Sequence, residues 1–113
     1  MTITTIMNIE TSSLCDNACR YCPAKDQGRH RKTGLMSMET YKQALHWVRR
    51  CLQKGTQTEL NLFGVGEPTL NPDIVEMVAM ARDLLPERIP VHLNTNGNGM
   101  TVGLAYALRE AGA

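Results

Sequence analysis

Net charge is nearly absent from this sequence: 12 Lys and Arg stand against 11 Asp and Glu, a formal balance of +1. Such a chain projects no field of one sign, which excludes attraction to nucleic acid or an anionic membrane by bulk charge, so partners must be argued from sites. Long apolar runs are missing too, and no stretch approaches the ~20 residues that a membrane-spanning helix needs. The opening MTITTIMNIE has neither the basic flank nor the apolar block of a secretory signal, and a cytoplasmic location is the expectation. Aromatics are few, with one Trp, three Tyr and one Phe, yet 42% of the residues are apolar, enough for an ordinary folded core and too many for disorder. No linker or low-complexity segment divides residues 1–113, which read as one domain.

Cysteine is present in an uneven way. A reducing compartment disfavours disulfides, and three of the four cysteines, Cys15, Cys19 and Cys22, fall within eight positions. That crowding points to a metal.

Residues 3–11 are rich in Ile and Thr and read as a first strand, followed by a long polar connection that carries the three cysteines. Ser37 is an N-cap for a helix over 38–53, in which Met38, Tyr41, Leu45, Val48 and Leu52 recur at helical spacing. A second strand is expected over 59–63, then the loop GVGEPTL, then a helix with Asn71 as N-cap and Pro72 in its first turn. Ile74, Met77, Val78, Ala81 and Leu85 mark the buried side of that helix. A third strand over 89–94, the loop TNGNG and a helix over 101–111 complete three β-loop-α units in order. The fold class is therefore α/β with a parallel sheet. After REAGA the alternation calls for a fourth strand, so the chain reads as incomplete.

In parallel sheets ligands bind at the carboxyl ends of the strands, and the three unusual loops each follow a strand, hence share one rim. If Leu60, Leu62, Val91 and Leu93 face the helices, then Asn8, Glu10, Asn61, His92 and Asn94 share the other face. Closed barrels fill their interior with Val, Ile and Leu, so a polar set fits a wet cavity for a polar ligand; hydrogen bonding within a packed core is the plainer alternative. His92 is the side chain of that face to watch. Other residues carry ordinary readings: Cys51 as a core thiol on the first helix, His46 on the surface of that helix, Arg29-His30-Arg31-Lys32 as a solvated loop, and the methionines as packing.

Cys15, Cys19 and Cys22 form C-x-x-x-C-x-x-C, close enough for three thiolates to wrap one iron–sulfur cluster. A cube of four irons then keeps one iron without a protein ligand. Zinc suits the motif less well, since a structural site wants four ligands and the nearest further candidates are His30 and Cys51. Unliganded cysteines and an electron-transfer cluster completed from elsewhere also remain open at this point.

The string C15-DNA-C19-RY-C22 resembles the CxxxCxΦC signature of the radical S-adenosylmethionine (SAM) superfamily, with Tyr21 at the aromatic position. Gly64-Val65-Gly66-Glu67-Pro68 is similar to that family's GGE(P) element, and Thr95-Asn96-Gly97 to its TNG; the GVG spelling leaves Gly64 either a motif member or a neighbour. The resemblance implies a [4Fe–4S] cluster held by Cys15, Cys19 and Cys22, with SAM chelating the remaining iron. It also implies a SAM site formed by Tyr21, Gly64, Gly66, Glu67, Pro68, Thr95 and Asn96. Tyr21 would lie near the adenine, the backbone at Gly66 and Glu67 would accept from the SAM amine, and Glu67 would steady its loop.

The implied activity is reductive cleavage of SAM to a 5′-deoxyadenosyl radical acting on a substrate the motifs do not specify. It belongs to the oxidoreductase or transferase kind and needs no side chain as acid or base. A one-electron reductant such as flavodoxin or ferredoxin is the implied partner. The implied fold is the first three βα units of a partial (β/α)6 TIM-type barrel. Pro23 and the later GLMS resemble members that carry a SPASM-like C-terminal cluster domain and modify peptides or cofactors. Two further readings stand beside this one: an electron-transfer module without radical chemistry, and an inactive fragment of such an enzyme.

Overall fold

The computed structural model describes residues 3–15, 33–52, 56–64 and 66–113. Three parallel strands, β1 (Ile3–Asn8), β2 (Thr56–Asn61) and β3 (Val91–His92), lie side by side in that order. Between and after them run the helices α1 (Met38–Cys51), α2 (Ile74–Leu84) and α3 (Val102–Ala111), with a 3₁₀ turn over Pro68–Leu70. The three β-loop-α units expected from the sequence are all present.

Strand lengths differ from expectation for reasons that lie in pairing. β2 starts at Thr56 instead of 59 because β1 pairs with it along its whole length, from Ile3 opposite Thr56 to Asn8 opposite Asn61. β3 is reduced to two ladder residues, Val91 opposite Leu60 and His92 opposite Asn61, because Pro90 has no N–H to give to a ladder. The carbonyls still serve: Leu60 N–H donates to Pro90 at 3.0 Å and Leu62 N–H to His92 at 3.0 Å.

The alternation of faces holds as read. Leu60, Leu62 and Val91 are buried beneath the helices, together with Tyr41, Leu45 and Val48 of α1 and Ile74, Met77, Val78 and Ala81 of α2. Full burial of such aliphatic side chains contributes roughly 1.5–3 kcal/mol each, which makes this layer the main source of stability. The Tyr41 phenol donates to the Met77 carbonyl at 2.6 Å and ties α1 to α2; burial pushes its pKa up. On the opposite face Asn8, His92 and Asn94 are exposed and Glu10 and Asn61 half-buried. Among the described residues no helix is long and apolar enough to cross a membrane.

Helix ends follow the capping rules with one exception. Ser37 and Thr101 accept from the N–H groups of Thr40 and Leu104, and α3 stops at Gly112, whose φ of 112° suits glycine alone. A Cβ at Gly112 would also meet the Arg82 side chain at 2.2 Å. Asn71 is the exception. It does not cap α2, which begins after Asp73 without a side-chain cap. Instead its carboxamide is buried, donating to the carbonyls of Thr11 (2.8 Å) and Met36 (3.1 Å) and accepting from Asp73 N–H (3.0 Å). A carboxamide that is itself buried must spend its donors and acceptor on the groups around it, and these two carbonyls outrank a helix end that water can reach. Cys51 also departs from expectation: it is exposed, because α1 ends there and Leu52 turns inward to pack on the core.

Asn71→Ala removes the donor shared by Thr11 and Met36 and is expected to lower stability by about 2–3 kcal/mol. Urea denaturation should show an earlier midpoint with an unchanged slope.

Candidate functional site

The residues after β1 do not wander. Ser12 and Leu35 form an antiparallel bridge, Met36 N–H donates to Thr11 (2.9 Å), and Ser13 N–H donates to Gly34 (2.9 Å). The Ser13 hydroxyl adds a second link by accepting from Gly34 N–H at 2.7 Å. The two ends of the cysteine loop are thus zipped together, and Cys15 emerges half-buried from the top of the zip. Tyr21, Cys19 and Cys22 lie outside the described residues, as do Val65 and the basic run Arg29-His30-Arg31-Lys32. Among the described residues no three of His, Cys, Asp and Glu gather into a group that could hold a metal.

The loop after β2 lies directly on this segment. Glu67 N–H donates to the Leu14 carbonyl at 2.7 Å, and Gly66 N–H donates to the Glu10 carboxylate at 3.3 Å. A Cβ on Gly66 would stand 2.2 Å from the Ser12 carbonyl oxygen, so backbone meets backbone and only glycine fits. At Gly64 the obstacle is the flexible Glu10 side chain, 2.7 Å from the same imagined atom. The geometric demand for glycine is therefore stricter at Gly66, the more secure half of the GVG spelling.

Glu67 joins the third loop to the other two. Its carboxylate is only 3% exposed and takes four donors: Thr69 N–H (2.9 Å), the Thr69 hydroxyl (2.5 Å), the Thr95 hydroxyl (2.7 Å) and Asn96 N–H (2.6 Å). Burial opposes ionisation, but these hydrogen bonds outweigh it and hold the carboxyl below its ordinary range. Pro68 starts the 3₁₀ turn that brings Thr69 back to Glu67, and is itself buried. With Glu67 in place, Asn96 is directed towards Cys15, its Nδ2 lying 3.8 Å from the Cys15 Sγ.

Gly64, Gly66, Glu67, Pro68, Thr95 and Asn96 are thus gathered at the rim that carries Cys15. They divide by role. The Glu67 carboxylate and Pro68 lie beneath the surface and build the loop, whereas Asn96 is exposed at it. Sequence reasoning put Glu10 on the polar cavity face without linking it to the second loop, and left Thr69 out altogether. A single carboxylate at a strand end and a threonine in a turn carry no spacing signal, and only the fold shows that they hold Gly66 and Glu67.

A carboxyl held below its ordinary value of 4.5 contributes stability that is complete above that value and is lost as pH falls through the lower, folded one. Hydrogen exchange at the Thr69 and Asn96 amides should therefore accelerate, relative to the core, as the pH drops below about 4.5. Glu67→Gln should remove that acid dependence and cost about 2 kcal/mol at neutral pH. Gly66→Ala should cost ~1–3 kcal/mol by forcing the first two loops apart, and Gly64→Ala less, as chemical denaturation of the pair would show.

Known proteins resemble this chain in sequence and in fold. Residues 9–113 match the family described as the radical SAM superfamily. Molybdenum cofactor biosynthesis protein 1 of Drosophila melanogaster is 34% identical over 109 residues, which span 96% of this chain and 18% of that protein. The crystal structure of BtrN in complex with AdoMet and 2-DOIA superposes with a TM-score of 0.82 at 25% identity, over 99% of this chain and 44% of BtrN. The open conformation of BtrN gives 0.79 at 23% identity, over 98% of this chain and 47% of that one. The chain spans about half of these structures and under a fifth of the curated relative. Its three units correspond to about half of the BtrN structures they resemble, a partial barrel of the TIM type. With the family match running over almost all of its length, this chain belongs to the radical SAM superfamily.

Proposed function

We propose that this chain holds a [4Fe–4S] cluster through Cys15, Cys19 and Cys22 and binds SAM at the same rim as part of a radical SAM enzyme. The observation that carries the reading is the Glu67 hub, which presses the Cys15 segment, the Gly66-Glu67 backbone and Asn96 into one small region. The residues present fit the group. Cys15 is half-buried with an amide donor 3.8 Å from its sulfur, and Gly66 has no side chain to crowd the segment that carries it.

When bound, the cluster supplies the electron that cleaves SAM to methionine and a 5′-deoxyadenosyl radical. The chain's own residues do the positioning. Gly66 N–H is engaged by Glu10 and Glu67 N–H by Leu14, while the Glu67 carbonyl already accepts from Leu70 N–H (3.3 Å), so what this backbone offers the amino group of SAM is carbonyl lone pairs and not donors. Thr95 and Asn96 hold the third loop against Glu67, and Tyr21 would flank the adenine. Exclusion of water from the radical falls to the walls around this rim. A one-electron reductant such as flavodoxin or ferredoxin completes the reaction, and a reducing compartment suits the thiols.

Anaerobic reconstitution with iron and sulfide, followed by electron paramagnetic resonance of the reduced protein, tests the proposal. The expected result is a [4Fe–4S]⁺ signal that shifts when SAM is added and is lost in Cys19→Ala. A signal indifferent to SAM would instead identify an electron-transfer module, and failure to assemble a cluster would sink the reading.

A further inference from the structure

We propose that Asn96 is a positioning residue that makes the cluster easier to reduce, by donating a side-chain N–H to the Cys15 sulfur; the inference rests on the reading of Cys15 as a cluster ligand. The Asn96 Nδ2 lies 3.8 Å from the Cys15 Sγ, although the two residues are 81 positions apart in sequence. A carboxamide can turn either its oxygen or its nitrogen to a neighbour, and only the nitrogen end is a donor. Here the choice is made from behind. The Asn98 N–H donates to the Asn96 Oδ1 at 2.9 Å, which engages the oxygen end and leaves the nitrogen end to face Cys15.

Donor and acceptor are also fixed to a common anchor. The Asn96 N–H donates to the Glu67 carboxylate at 2.6 Å, and the Thr95 hydroxyl beside it does so at 2.7 Å. On the other side, the Glu67 N–H donates to the carbonyl of Leu14, the residue before Cys15, at 2.7 Å. Glu67 is buried, so both arms of the contact hang from a residue that cannot shift without stranding its charge. The gap between the carboxamide and the sulfur is thereby set by the fold and not by the rotamer of an exposed side chain alone.

The consequence is electronic. A thiolate bound to iron shares its charge with the cluster, and part of an incoming electron settles on the sulfurs. A donor aimed at that sulfur therefore favours the reduced form over the oxidised one and raises the potential, since hydrogen bonds to the sulfurs are among the levers that set it. A weaker one-electron donor then suffices to load the site.

Titration of the reconstituted protein with dithionite, followed by electron paramagnetic resonance, measures this potential. Leaving SAM out removes any contribution from a contact between Asn96 and SAM. Asn96→Leu, similar in size but without a donor, should be harder to reduce: at the wild-type midpoint its ratio of reduced to oxidised cluster should fall about tenfold, equivalent to about 59 mV for one electron. Asn96→Asp keeps the shape, adds a negative charge and should fall further. A residue that merely held its loop would behave otherwise, because a loosened loop admits water, and water favours the more negative, reduced form. An unchanged or raised potential in both variants would overturn the proposal and leave the cluster reading intact. If only the aspartate variant assembles a cluster, its potential decides; loss of assembly in both, with the wild type competent, would show a structural role and overturn the proposal. A wild-type protein that assembles no cluster would sink both readings together.

Discussion

Everything at the rim depends on one buried charge. A carboxylate with almost no access to water is tolerated only when its oxygens are filled by donors, and the donors of Glu67 come from its own turn and from the loop after β3. Its backbone N–H is spent on the loop after β1. The three loops are therefore not independent: moving any of them leaves part of a charge unsolvated. Such a hub is costly to break and holds its surroundings to a narrow geometry, as a site for a small reactive ligand requires.

The sheet supplies the rest of the order. Parallel pairing along the whole of β1 sends the first two loops out at the same height, and two ladder residues on β3 are enough to add the third. Close approach then becomes possible because Gly66 has no side chain to keep the second loop off the Ser12 carbonyl. Local backbone, strand register and side-chain chemistry all favour the same arrangement, which is the condition for a sequence to select one structure.

Much of this was legible beforehand. Leu60 and Leu62 announced the buried face because β2 is apolar on one side only, and the α1 and α2 stripes followed from helical spacing. The loops were legible because cysteine, glycine and proline are the residues whose placement chemistry restricts most. Other features were hidden for physical reasons. Asn71 has the same side chain whether it caps a helix or satisfies two carbonyls more than thirty residues away in sequence, and only the fold decides between them. Cys51 keeps helical phase with the core, yet the helix stops there and Leu52 takes the inward place. Glu10 looked like one more polar residue on a strand until Gly66 was brought against it.

The zip between Ser12 and Leu35 separates two problems that proteins usually have to solve together. Once its ends are clamped by their own hydrogen bonds, the intervening segment can change in length or composition without altering how β1 meets α1. The entropy of closing such a loop grows only with the logarithm of its length, so doubling it adds roughly 0.6 kcal/mol. The stretch between the last of the three cysteines and the clamp is thereby free to vary while the sheet beneath stays the same.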